Sequence, residues 1–108
     1  MLVTSPEKLA TRYQVLALDL DGTVVGHDLS ISPRVRHHLH QLVNHSQCRV
    51  VIATGRMSVS ARRFAADLGV REPVIAYQGA MIRDMQGQCL YHSPIPLEVA
   101  RLLVADLY

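Results

Sequence analysis

Three short apolar runs punctuate the first two thirds of the chain, with helical stripes between them. Val15-Leu16-Ala17-Leu18 is entered from Tyr13-Gln14 and closed by Asp19. Arg49-Val50-Val51-Ile52-Ala53 is rich in β-branched residues. Pro73-Val74-Ile75-Ala76-Tyr77 has its proline at the first position, where a missing N–H costs a strand least. Continuous apolar runs of this length predict strands buried on both faces, the habit of parallel sheets. Between the first two runs, Ser32-Pro33 reads as an N-cap and first helical residue. Val35, Leu39, Leu42 and Val43 then recur at helical spacing and predict a helix over 33–46. Met57, Ala61, Phe64, Ala65 and Leu68 form a second stripe, stopped by Gly69 at C′.

Strand, helix, strand, helix, strand is a repeated βαβ pattern. Right-handed crossovers make the three strands parallel neighbours with helices on the faces of the sheet. The predicted core is Leu16, Leu18, Leu39, Leu42, Val51, Ile52, Phe64, Leu68, Val74 and Ile75. After Gly79 the pattern changes. Residues 80–83 and 89–92 flank Asp84-Met85-Gln86-Gly87-Gln88, which reads as a hairpin with a glycine-containing turn. Ser93-Pro94-Ile95-Pro96 breaks the chain. Residues 97–108 are then helical, with Val99, Leu102, Leu103 and Leu107 on one side and no stop signal. Residues 1–12, mostly polar with one proline, read as a loose N-terminal arm.

Composition narrows the classes. With 108 residues, 49% of them hydrophobic and 19% charged, a single packed domain or a piece of one is expected, and disorder is not. No apolar run approaches the ~20 residues of a membrane span. The first eight residues lack the basic patch and long apolar stretch of a secretory signal. A net charge of +2, with no basic cluster beyond Arg62-Arg63, gives no support to nucleic-acid or membrane binding. Cys48 and Cys89 form neither a disulfide framework nor a C-x-x-C pair, and read as reduced thiols of a cytoplasmic protein. His37, His38, His40 and His45 crowd one helix. Without an acidic or cysteine partner at ligand spacing they read as a solvated face rather than a metal site. His27 reads as a polar loop residue.

In an open α/β sheet, ligands bind beyond the carboxyl ends of the strands. Asp19-Leu20-Asp21-Gly22-Thr23, Thr54-Gly55-Arg56 and Gln78-Gly79-Ala80 all belong there. Asp19 and Asp21 point the same way if the chain stays extended. Two such carboxylates repel unless a cation or proton relieves them, and Mg²⁺ suits one or two carboxylates plus phosphate oxygens and water. Taken alone, the pair could equally be solvated aspartates of a strand-end turn. Gly22 permits a sharp turn and Thr23 offers a hydroxyl and an N–H. Thr54-Gly55 before a helix start makes an anion site or a plain cap. An EF-hand lacks its later ligands here, and neither a Walker loop nor a G-x-G-x-x-G occurs.

Together these residues resemble the haloacid dehalogenase-like hydrolase superfamily. Asp19-Leu20-Asp21-Gly22-Thr23, continuing Val24-Val25, is similar to its first motif, and Thr54 in Ala53-Thr54-Gly55-Arg56 to its second. Ile31-Ser32-Pro33-Arg34, Gln78-Gly79-Ala80 and Ile95-Pro96 narrow the resemblance to the Cof-type, subfamily IIB sugar-phosphatase branch. It implies an α/β fold: a three-layer Rossmann-like parallel sheet, the N-terminal part of such a core, with a hairpin extension and a terminal helix. Residues 13–95 would be a partial core and 96–108 a helix leading toward a cap domain.

The implied activity is Mg²⁺-dependent phosphomonoester hydrolysis through an aspartyl-phosphate, on small phosphorylated metabolites, with sugar phosphates the expected class. Asp19 would be the nucleophile. Asp21 would protonate the leaving oxygen and then activate water. The Asp19 carboxylate and the Asp21 carbonyl would hold Mg²⁺. Thr54 and Gly55, with Gly22 and Thr23, would bind the phosphoryl group, and Gln78 and Gly79 are candidate substrate contacts. Arg56 is expected to orient the loop or helix rather than the phosphate. The family usually has asparagine where Gln78 stands.

The family's third-motif lysine and fourth-motif acidic cluster have no match, since Lys8 is the only lysine and Asp84, Glu98 and Asp106 stand alone. The 108-residue chain by itself is therefore expected to turn over at or near background. Two alternatives stand beside this reading: a phosphate- or Mg²⁺-binding or partner-pairing domain without turnover, and a phosphomutase. The strand at 13–18 is expected to present an open edge, through which the chain self-associates or pairs with its own N-terminal arm.

Overall fold

The computed structural model describes residues 12–107. The expected arm, apart from Arg12, and Tyr108 lie outside the described residues. In chain order the elements are β1 (Val15–Leu18), α1 (Pro33–His45), β2 (Arg49–Ile52), α2 (Ser58–Asp67) and β3 (Val74–Ala76). A short 3₁₀ turn (Tyr77–Gly79), β4 (Met81–Arg83), β5 (Cys89–His92) and α3 (Leu97–Leu107) follow. Each predicted element is present to within one or two residues.

Local chemistry sets the helix bounds. The Ser32 hydroxyl accepts the Val35 N–H at 3.1 Å, satisfying one of the orphan donors of α1. At the other end Ser46 donates to the Leu42 carbonyl (2.6 Å) and accepts from the Cys48 N–H (3.1 Å), bonds that compete with a further helical turn. In α2 the last turn closes on Leu68, and the Gly69 N–H bonds the Ala66 carbonyl.

β1 and β2 pair in parallel, with Leu16 opposite Val50 and Leu18 opposite Ile52. β3 joins β2 at the carboxyl end, through a parallel bridge between Ala53 and Ile75 and a 2.9 Å bond from the Thr54 N–H to the Ile75 carbonyl. The order is thus β1-β2-β3, and the three strands are parallel neighbours as expected. β4 and β5 extend it as an antiparallel meander from β3.

Burial alternates strictly along these strands. Leu16, Leu18, Val50, Ile52, Val74 and Ala76 face the helices and are buried or packed on the core. Val15 and Ala17 are exposed, and Val51 and Ile75 only half-buried. The expectation of strands buried on both faces is therefore corrected, and with it the placing of Val51 and Ile75 in the core. The cause is topological. A strand order advancing in one direction makes right-handed crossovers lay both helices on the same face. Direct ties between the helices show this: Arg36 Nη2 to Asp67 Oδ2 and His40 Nε2 to the Asp67 carbonyl, each 2.9 Å. Among the described residues the parallel strands carry one helical layer, and the second layer expected from the sequence is not among them.

The core also holds residues the apolar runs did not single out. Leu20, Val24, Val25 and Ile31, all from the loop after β1, are buried. In α3, by contrast, no residue is buried, and Val99, Leu102, Leu103 and Leu107 are all exposed. No helix among the described residues is long and apolar enough to cross a membrane. No group of three or more His, Cys, Asp or Glu side chains among them is placed to hold a metal ion.

Candidate active site

The carboxyl ends of the three parallel strands converge. Asp19 follows β1, Thr54 follows β2, and the Tyr77–Gly79 turn follows β3. Asp19, Asp21, Thr54, Gly55, Arg56 and Gln78 line one concavity of about 390 Å³. Five of these were singled out from the sequence as site residues, and the topology brings them together.

The loop after β1 is built around one carbonyl. The Leu20 oxygen accepts the N–H groups of Thr23, Val24 and Val25 at 2.8–3.1 Å. Gly22, at φ +80°, makes the turn and donates to the Val25 carbonyl at 3.0 Å. That backbone conformation is strained for any residue with a Cβ. The buried Leu20, Val24 and Val25 anchor the loop, so Asp19 and Asp21 stand on a packed support while remaining exposed. The N–H groups of Gly22 and Thr23 are spent inside the turn, and neither residue lines the concavity. Of the groups with which they were expected to bind phosphate, the two backbone N–H groups are therefore already engaged. Gly79 also lies outside the lining.

Asp19 Oδ1 accepts the Leu20 N–H at 2.9 Å. Asp21 is gripped by Arg56 in a fork: Nε to Oδ2 and Nη2 to Oδ1, both 2.7 Å. Arg56 is itself fixed by Nη1 to Ser60 Oγ (2.9 Å) and by stacking over the Phe64 ring at 4.8 Å. The hydrogen bonds from Arg56 are the largest influence and hold the Asp21 carboxyl below the ordinary aspartate value; desolvation opposes them, the Arg56 charge adds a smaller lowering, and Arg56 is raised in return. Sequence reasoning placed Arg56 in the site and gave it an orienting role, but did not pair it with Asp21. The only available signal was that both residues follow adjacent parallel strands.

Thr54 is 5% exposed. Its N–H and C=O are engaged by Ile75 and Gln78, and Oγ1 accepts the Arg56 N–H at 3.1 Å. That bond leaves the hydroxyl proton free to donate into the concavity. Chemically, the arrangement offers one carboxylate oxygen of Asp19 unbonded among the described residues, an ionised Asp21 beside it, and hydroxyl and amide donors opposite. For a divalent cation, the Asp21 carboxylate is occupied by Arg56. The donor set that fits Mg²⁺ is the Asp19 carboxylate with the Asp21 carbonyl, the remaining places going to water and phosphate oxygens.

The family model for haloacid dehalogenase-like hydrolases matches residues 16–108. The chain belongs to this family. Among curated proteins, this haloacid dehalogenase-like chain is 31% identical over 98 residues to a 5-amino-6-(5-phospho-D-ribitylamino)uracil phosphatase of Bacillus subtilis, covering 89% of the chain and 36% of that protein. It is 33% identical over 88 residues to an HMP-PP phosphatase of Serratia proteamaculans, covering 82% and 32%. A haloacid dehalogenase-like hydrolase from Bacteroides thetaiotaomicron superposes with a TM-score of 0.77 at 28% identity, over 86% of this chain and 36% of that one. The chain spans about a third of the length of the curated relatives it matches. These likenesses bear out the α/β Rossmann-like fold and the family inferred from the motifs.

Proposed function

We propose that these residues form the nucleophile half of a Mg²⁺-dependent phosphatase site for small phosphorylated metabolites. The observation that carries the reading is the meeting of Asp19, Asp21 and Thr54 in one concavity at the carboxyl ends of parallel strands. Both curated relatives named above are phosphatases of small phosphorylated compounds, which supports the same class.

Asp19 is the nucleophile. Its carboxylate attacks phosphorus, the P–O bond to the leaving group breaks, and an aspartyl-phosphate forms. Asp21, ionised in the free site, takes the proton of a monoanionic phosphate ester, passes it to the leaving oxygen, and then takes one from the water that hydrolyses the acyl-phosphate. Arg56 sets the position of Asp21 for both transfers. Thr54 Oγ and the Gly55 backbone hold the phosphoryl oxygens, since phosphoryl transfer is mainly positioning and charge stabilisation. Mg²⁺, held by Asp19 and the Asp21 carbonyl, would neutralise phosphoryl charge. Sugar phosphates remain the proposed substrate class. Residues 13–95 are proposed as core and 96–108 as a lead toward a cap.

In a protein of the relatives' length, Asp19→Asn should abolish Mg²⁺-dependent hydrolysis of an aryl phosphate with the fold intact. Undiminished turnover would refute the assignment. The 108-residue chain, with no lysine after its first motif, should hydrolyse the same ester at or near background. Loss of one such electrostatic donor costs about a hundredfold to a thousandfold in rate. Robust turnover by this chain would contradict that expectation.

A further inference from the structure

Gln78 occupies an uncommon backbone position. Tyr77 and Gln78 both have positive φ, 51° and 57°, and Gly79 follows at 97°. Successive non-glycine residues in the left-handed region persist only where their surroundings over-determine them. Here the β2 loop does so. The Tyr77 N–H donates to the Arg56 carbonyl at 3.0 Å, and the Gln78 N–H to the Thr54 carbonyl at 3.1 Å. The kink is thus tied on both sides of Gly55.

Its effect is to lay the Gln78 side chain over Gly55. A methyl carbon built on Gly55 would fall 2.8 Å from Gln78 Cδ and collide with Nε2. Only a residue without a Cβ permits this approach. The amide lines the same concavity as Asp19, Asp21 and Thr54. Arg56, the one cation lining it among the described residues, is already forked onto Asp21 and bonded to Ser60. A phosphoryl group entering the concavity therefore meets two carboxylates and a cation whose charge is largely spent. A neutral amide with two N–H donors carries no such commitment to a carboxylate.

We propose that Gln78 is a phosphoryl-binding residue of the site: its amide N–H, held over Gly55 by the Tyr77–Gly79 kink, donates to a non-bridging oxygen of a terminal phosphoryl group. This rests on the phosphoryl-transfer reading of the site and adds a donor to it. The amide shares its anion between two tethered segments, so binding should also tighten the Thr54–Gly55 and Tyr77–Gly79 turns together.

The test is a titration of the ¹⁵N-labelled 108-residue chain with inorganic phosphate in the presence of Mg²⁺. The Gln78 side-chain NH₂ and the Gly55 amide report the contact. Gln78→Glu keeps the size and replaces the donor by an anionic oxygen. Gln78→Gly removes the side chain and relaxes the positive φ, so it retains the fold even if the glutamate variant does not. In the wild type, the side-chain NH₂ signals should shift with the same midpoint as Gly55. Gln78→Glu should weaken affinity about tenfold or more, the equivalent of one charge-assisted hydrogen bond, and Gln78→Gly should weaken it several-fold. If both variants bind as the wild type does while Thr54→Ala binds more weakly, the Gln78 contact is wrong and the phosphoryl site stands. If the wild type shows no saturable shift at millimolar phosphate, the contact and the site reading fail together.

Discussion

The two faces of the parallel strands are nearly equal in apolar character and unequal in burial. On one face Val50, Ile52, Val74 and Ala76 are buried beneath α1 and α2. On the other, Val15 is 55% exposed and Val51 and Ile75 are half-buried. The contrast shows that an apolar run reports what a strand is suited to pack against, whereas topology decides which face is covered. Both crossovers here turn the same way, so one face receives both helices. The burial missing from the second face is partly replaced at the strand ends, where Leu20, Val24, Val25 and Ile31 fold into the core and carry the two aspartates on their loop.

Truncation measures the contrast most strongly. Ile52→Ala, at a fully buried position, should cost about 2–5 kcal/mol, whereas Val15→Ala on the open face should stay within about 0.5 kcal/mol. Urea unfolding of both variants reads the difference. Equal losses would mean that the second face is covered in solution. Self-association through the edge of β1 that is unpaired among the described residues is a separate proposal and would appear as a concentration-dependent sedimentation coefficient. A monomer at all concentrations, with the β1 amides that do not face β2 exchanging freely, would rule it out. A smaller loss is expected at the α1 cap, where Ser32→Ala should remove about 1 kcal/mol by the same assay.

The smallest effect is electrostatic. Asp21 is depressed by its hydrogen bonds to Arg56, so the pair's stabilisation is present above the ordinary aspartate pKa of 3.8 and is lost as pH falls through the lowered value. Because Asp21 is about half exposed, water screens the pair and the gain is minor. A ¹³C titration of the Asp21 carboxyl should give a midpoint below the ordinary value. In Arg56→Ala it should return toward that value. An unchanged midpoint would show that the fork does not persist in solution. Asp28 gives a local control. Its carboxyl is lowered mainly by the Ser30 hydroxyl, which Ser30→Ala removes without touching Asp21.

Much of this was legible in the sequence. The three runs and two stripes mark the elements and make the three strands parallel neighbours. Asp19, Asp21, Thr54, Gly55 and Gln78 could be gathered at one end because parallel strands deliver their following loops to the same edge. The Arg56–Asp21 fork was not legible, since it joins residues 35 apart in sequence through side-chain conformations that spacing does not encode. Nor was the burial of Leu20, Val24 and Val25, because in a turn no 2- or 3.6-residue period marks the inward side. The positive φ at Tyr77 and Gln78 was equally hidden, as neither residue type favours it. In α3 the apolar stripe predicted a helix correctly while all its large apolar side chains stayed exposed.

The central claim is that Asp19, Asp21, Thr54 and the β3 turn form one phosphoryl-binding site, separate from the exposed α3 region. Beryllofluoride, a tetrahedral phosphoryl mimic that coordinates a carboxylate oxygen, tests it most directly when added with Mg²⁺ to the ¹⁵N-labelled chain. Saturable shifts should appear at Leu20, Gly22, Gly55, Arg56 and Gln78, be absent at 97–107, and vanish in Asp19→Asn. Shifts centred on α3 or the β4–β5 hairpin, or a response that survives Asp19→Asn unchanged, would contradict the account.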